Sequence, residues 1–132
     1  MILVDTSVWI DYLNGVLSKH TDTLDSGIVE GTVAMGDLIF LEILQGIRDD
    51  REYRKTKQTL MMLDRFQMFG QGMPEKCAEN YRVLRKKGIT IRKTTDIIAT
   101  FCIERRMPLL FIDRDFIPFV DHLDLLSGLP ET

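Results

Sequence analysis

Ile2-Leu3-Val4-Asp5-Thr6-Ser7 is the stretch on which the reading of the whole chain turns. Three apolar residues, two of them β-branched, run straight into an aspartate. From Ser7 the pattern changes: Val8-Trp9-Ile10-Asp11-Tyr12-Leu13 has helical spacing and stops at Asn14-Gly15. A short apolar run followed by such a pattern reads as a fully buried strand feeding a helix. Asp5 then stands at the carboxyl end of the strand. In an open α/β sheet, that is the edge where ligands bind.

Downstream the alternation continues. Ser18 to Ile28 reads as a short helix with an exposed face and Thr32 to Met35 as a strand. Leu38 to Ile47 is a helix apolar almost all round, which implies burial. Asp49 to Phe66 reads as one longer helix with Leu60 and Leu63 on its apolar side and Arg51, Arg54, Lys55 and Lys57 in water. Gln67 to Phe69 is a brief strand before the turn Gly70-Gln71-Gly72. Pro74 suits the first turn of a helix over Glu75 to Lys87, closed by Gly88. Thr94 or Thr95 caps a helix through Asp96 to Ile103, with Arg105 and Arg106 in the last turn, where cations suit the dipole. Leu109 to Ile112 is a buried strand ending at Asp113, and Leu123 to Leu126 a last weak one. Strands alternating with helices predict a three-layer α/β domain whose central sheet is mostly parallel.

Composition bounds the answer. The 132 residues suit a single domain, 1–132, with a real core. A chain 45% hydrophobic and 28% charged is an ordinary globular one, and a net charge of −3 gives no bulk basic excess for nucleic acid. Cys77 and Cys102 lie among apolar residues in helical patterns and read as buried thiols in a reducing compartment. No apolar run approaches the roughly 20 residues that span a bilayer. No basic segment precedes the apolar N-terminus, so no signal peptide is expected. The expected location is the cytoplasm.

Four acids have the wrong neighbours for a solvated carboxylate. Asp5 follows Ile2-Leu3-Val4, Glu42 interrupts an apolar helix, Asp96 precedes Ile97-Ile98-Ala99, and Asp113 ends the strand Leu109 to Ile112. A charge in such a place is costly unless paired or bound to a cation. Each has a bland alternative: Asp96 as a first-turn acid, Asp113 as a turn former, Glu42 paired with a buried arginine. Together they point to a hard divalent ion, Mg²⁺ or Mn²⁺, held by carboxylate oxygens. His20 and His122 sit in polar stretches and give zinc no support. Such a centre suits phosphodiester hydrolysis, because the metal activates a water and stabilises charge on phosphate. Thr6 and Ser7 could donate hydrogen bonds to a carboxylate or a metal-bound water, although Ser7 reads equally well as a helix N-cap.

The run Ile2 to Ile10 resembles the opening motif of PIN-domain proteins, and more narrowly that of the VapC toxins of bacterial VapBC toxin–antitoxin pairs. Similar motifs follow in the family's order: Glu42 in Leu41-Glu42-Ile43-Leu44-Gln45-Gly46, Asp96 in Ile91 to Ala99, and Leu109 to Phe116 around Asp113. The resemblance implies a PIN fold and a Mg²⁺- or Mn²⁺-dependent endoribonuclease acting on structured RNA such as tRNA. It also implies an inhibitory VapB-type antitoxin. On it, Asp5, Glu42, Asp96 and Asp113 are the catalytic, metal-binding acids, with Asp115 as an outer-sphere helper. Ile112 and Thr100 depart from the commonest pattern without removing a carboxylate.

Arg92, Lys93 and Arg114 lie beside the acids in sequence and are expected to meet RNA phosphates. Apolar residues beyond the needs of the core, among Trp9, Tyr12, Leu13, Phe40, Leu44 and Ile47, would suit a homodimer interface or a groove for an antitoxin helix. A basic antitoxin side chain entering the acidic pocket would inhibit simply. Three other readings remain open. A phospho-acceptor receiver would want paired acids at the first strand end and a lysine closing the site. An aspartate-nucleophile phosphatase would want a second acid where Ser7 stands. A catalytically idle PIN scaffold would want acids missing.

Overall fold

In a computed structural model that describes residues 1–130, the apolar run Ile2–Val4 is β1, with Leu3 and Val4 fully buried. α1 (Thr6–Leu13) and α2 (Lys19–Glu30) lead to β2 (Val33–Gly36), every residue of which is buried. α3 (Asp37–Gly46), α4 (Asp50–Leu60), β3 (Asp64–Phe66), α5 (Met73–Lys86), α6 (Lys93–Arg105) and β4 (Leu109–Leu110) follow, then a 3₁₀ turn (Arg114–Phe116) and α7 (Ile117–His122). The strands pair in the order β3-β2-β1-β4, all parallel. The expected three-layer α/β architecture is what the chain adopts. The uninterrupted apolar composition of β1 and β2 has its cause here, since a parallel sheet is covered on both faces.

Topology places the site. The chain moves from β1 outward to β2 and β3, then crosses back over β1 to β4. α1 packs on α2 and α3, and α5 packs on α6; with right-handed crossovers running in opposite directions from β1, the two groups are expected on opposite faces of the sheet. The crevice beyond the carboxyl end of β1 is therefore a topological switch point. Asp5 is the first residue past β1, and its N–H donates to Leu110 O at 2.8 Å, closing the ladder with β4.

The structure moves several boundaries. The single helix expected over Asp49 to Phe66 breaks after Leu60, and the strand expected at Gln67 to Phe69 lies earlier, at Asp64–Phe66. This is an edge strand whose backbone pairs with β2 while Asp64 and Arg65 project into solvent, so it carries no apolar signature. The N-cap of α6 is Arg92, earlier than Thr94 or Thr95, and no side chain caps it. β4 is two residues long. The last expected strand reduces to a bridge between Leu109 and Ser127. Phe116 and Phe119, both fully buried, pin the 3₁₀ turn and α7 to the core, an element the sequence pattern did not reveal. Both cysteines are free and buried, as expected.

Gly36 ends β2 with no space for a side chain: a Cβ there would overlap the buried Met68 thioether. Gly36→Ala is expected to lower stability by about 1–3 kcal/mol, the usual cost of overpacking. The urea midpoint of the variant against the parent chain measures it; an unchanged midpoint would show that Met68 yields freely.

Candidate active site

The first acid is held by the helix it starts. Asp5 is the N-cap of α1, in extended backbone, and its Oδ2 accepts from the Ser7 N–H at 3.2 Å and from Ser7 Oγ at 2.6 Å. The N-cap role that could have belonged to Ser7 therefore falls to Asp5. Ser7 Oγ also accepts from the Ile112 N–H at 3.3 Å, which ties the start of α1 to the segment after β4. Thr6 Oγ1 donates to Glu42 Oε1 at 2.8 Å, so the tripeptide after β1 fixes the acid of α3 as well. Asp113 caps the 3₁₀ turn: its Oδ1 accepts from the Asp115 N–H at 2.9 Å. Its Oδ2 accepts from Arg92 Nη2 at 2.8 Å, and the same nitrogen lies 3.1 Å from Asp115 Oδ2.

Asp5, Glu42 and Asp113 thus line one pocket of about 150 Å³, together with Thr6, Ser7, Arg92, Thr94, Thr95, Ile98 and Phe116. A larger cavity of about 400 Å³, between the loop before α5 and the end of α6, gathers no such acids. Three segments distant in sequence supply the carboxylates. Among the described residues, however, no three acid, histidine or cysteine side chains form a ready-made metal cage.

Asp96 is placed apart from the other three acids. It is buried, at 5% exposure, but it does not line the pocket. α6 begins at Lys93, so Thr94, Thr95 and Ile98 form the face toward Asp5, and Asp96 is turned roughly 100° past Thr95. Its Oδ1 accepts from Thr100 Oγ1 at 3.1 Å, and Thr100 Oγ1 accepts from Asn80 Nδ2 of α5 at 2.9 Å. Asp96 therefore faces α5, where its charge helps burial to push the Cys77 thiol up to about 11. Thr95, read from sequence as a cap, lies buried in the pocket wall; its i, i+3 spacing to Ile98 was the available signal. Of the three expected phosphate contacts, Arg92 reaches the pocket; Lys93 and Arg114 are exposed and outside its lining. No lysine is in the lining, which removes the feature a receiver site would need.

Burial raises the Asp5 carboxyl above its ordinary value; the Ser7 bonds oppose this, and the neighbouring Glu42 charge adds to it. Among the described residues neither Asp5 nor Glu42 has a basic partner. Two adjacent carboxylates, one of them buried, with only uncharged hydroxyl and amide donors are a donor set suited to a hard cation. Mg²⁺ takes one or two carboxylates and keeps its waters, so a full protein cage is not required.

No protein-family model matches the chain. Over 119 residues it is 29% identical to VapC ribonuclease Mb1587 of Mycobacterium bovis and to ribonuclease VapC11 of Mycobacterium tuberculosis, covering 88% of this chain and 89% of each relative. In structure it is similar to VapBC2 from Rickettsia felis, solved bound to a DNA fragment from the promoter: TM-score 0.76, 18% identity, covering 99% of this chain and 100% of that one. It is also similar to a toxin–antitoxin complex from Klebsiella pneumoniae: TM-score 0.71, 15% identity, both chains covered fully. The central parallel sheet with its flanking helices is the PIN-type fold of these proteins.

The buried Asp96 carboxyl has an outcome of its own. Burial raises it to about 6 against the ordinary 3.8, with the Thr100 bond opposing. The native state therefore binds more protons than the unfolded chain inside that window. Stability contributed by Asp96 falls as pH rises through it, and the full cost is present above pH 6. Asp96→Asn keeps an acceptor for Thr100 and removes the charge. Its stability relative to the parent is expected to improve by about 1–3 kcal/mol on going from acid to neutral pH, read from urea midpoints at both ends.

Proposed function

We propose that this chain, VapC-like in sequence and PIN-type in fold, is the toxin of a toxin–antitoxin pair and cleaves RNA by metal-assisted hydrolysis. The observation that carries the reading is the meeting of Asp5, Glu42 and Asp113 on one pocket at the switch point of the sheet. The relatives named ribonucleases support the class of reaction, and the neighbours solved as toxin–antitoxin complexes support the class of partner.

Asp5 and Glu42 would hold Mg²⁺ or Mn²⁺, with Asp113 in the same pocket lining. Bound there, such an ion supplies an acidified water and charge stabilisation at the scissile phosphate. The chain's own residues do the rest. The Ser7 bonds keep the Asp5 oxygens oriented, and Thr6 does the same for Glu42. Arg92, at the pocket wall, offers a fork of donors to a phosphate oxygen. Asp115 stands outside the lining and acts through Arg92. Structured RNA, tRNA included, is the proposed substrate class, with unstacked loop nucleotides entering the shallow pocket.

For the partner, a groove of about 150 Å³ between α1, α3 and α4 is lined by Ile10, Leu13, Ile43 and Ile47. An amphipathic antitoxin helix would cover that apolar strip, and a basic side chain beyond it would enter the acid pocket. The exposed faces of Ile10 and Leu13 would equally suit a second copy of the chain in a homodimer.

Cleavage of a purified structured RNA by the purified chain tests the reading. Cleavage is expected to need Mg²⁺ or Mn²⁺, to stop with EDTA and to return on metal addition. Asp5→Asn is expected to lower the rate about 100-fold or more and to relieve growth inhibition on induction. Asp96→Asn, outside the pocket, is expected to stay within about tenfold of the parent. Chelator-insensitive cleavage, or a fully active Asp5→Asn, would overturn the assignment.

A further inference from the structure

We propose that Arg92 is a built-in counter-ion of the acidic pocket, displaced from Asp113 when a divalent cation binds and then turned toward the substrate's phosphate. The inference rests on the reading of the pocket as a cation site, and it concerns what stands in the cation's way.

Both oxygens of Asp113 are engaged. Oδ1 accepts the capping bond from the Asp115 N–H, which is part of the 3₁₀ turn. Oδ2 accepts from Arg92 Nη2 at 2.8 Å. A second lone pair on Oδ2 is open to a cation, but an ion there would stand beside the guanidinium bonded to the same oxygen, so the two positive charges compete for Asp113. Arg92 is placed to yield. Its side chain is 66% exposed, and the ion pairs of such a group are weak and screened. It stands at the N-cap of α6 in extended backbone and makes no capping bond with its side chain, so its departure leaves the helix intact. Nη2 is shared between Asp113 and Asp115, and Asp115 stays outside the pocket lining. Leaving Asp113, the guanidinium keeps one anionic partner at the rim while its free donors face the pocket mouth.

Two consequences follow. Arg92 lowers the cation affinity of the pocket, since cation and guanidinium claim one oxygen. Conversely, a bound cation frees the guanidinium for phosphate, so cation and RNA backbone favour each other's binding. Arg92 is thus a positioning residue that couples the two.

Mn²⁺ titration of the purified chain by calorimetry, without RNA, reads the competition directly. Arg92→Gln is expected to bind Mn²⁺ about 2- to 5-fold more tightly than the parent, the range for loss of an exposed ion pair. Arg92→Lys, which keeps the charge but loses the planar fork, is expected to fall between them. Arg82→Gln, which removes one positive charge from the exposed side of α5, is expected to match the parent. Equal or weaker Mn²⁺ binding by a folded Arg92→Gln would overturn the counter-ion role and leave the cation site standing. Absence of Mn²⁺ binding in both parent and variant would overturn the cation site itself, and this inference with it.

Discussion

The structure depends on one buried carboxylate having somewhere to put its charge. Asp5 sits at the switch point between β1 and β4, where the strand order of the described residues reverses, and it is 5% exposed. Its neighbours in sequence solve part of the problem. Ser7 gives it two donors, and Ser7 Oγ in turn accepts from Ile112 across the sheet edge. The same tripeptide sends Thr6 to Glu42. Asp5-Thr6-Ser7 therefore works as a clasp joining β1, α1, α3 and the segment after β4. Hydroxyl donors satisfy lone pairs but cancel no charge, which is why the Asp5 carboxyl remains raised.

The acids form two populations. Asp5 is buried and Glu42 half-buried, both with polar but uncharged partners, and the half-buried Asp113 pairs with a guanidinium. Exposed pairs are worth little to stability, roughly 0–1 kcal/mol, so the Arg92 pair does not hold the fold together. Its importance is local: it decides how negative the mouth of the pocket is. Asp96 belongs to neither population. Its carboxylate joins Thr100 and Asn80 in a buried polar contact between α5 and α6, a structural use of a charge whose burial is only partly offset.

Much of this was legible in the sequence where local pattern and tertiary role coincide. Ile2-Leu3-Val4 before Asp5 named both the strand and the sheet edge where the acid pocket lies, because a buried parallel strand must be apolar on both faces and must end in something that can face a crevice. Glu42 was legible because α3 offers no solvated reason for it. Where backbone pairing acts without side-chain pattern, the reading failed: β3 is exposed at Asp64 and Arg65 and is held by its ladder to β2. The direction in which Asp96 faces was not legible for a different reason. Its place beside an apolar run shows that it is buried, but burial does not say against what. A shift of one residue on a helix turns a side chain by about 100°, and the start of α6 at Lys93 is set by tertiary packing with no capping side chain to announce it.

The position of Thr95 shows what that register does to the pocket. Had the carboxylate fallen there, the wall toward Asp5 would carry a fourth negative charge at close range, and the buried Asp5 would be harder still to ionise. With a threonine in the wall the pocket keeps three acids, and one of those is already held by Arg92. The charge that any bound cation would have to balance is correspondingly smaller. Helix register, set by packing far from the acids, thereby tunes the charge of the site without altering the clasp that builds it.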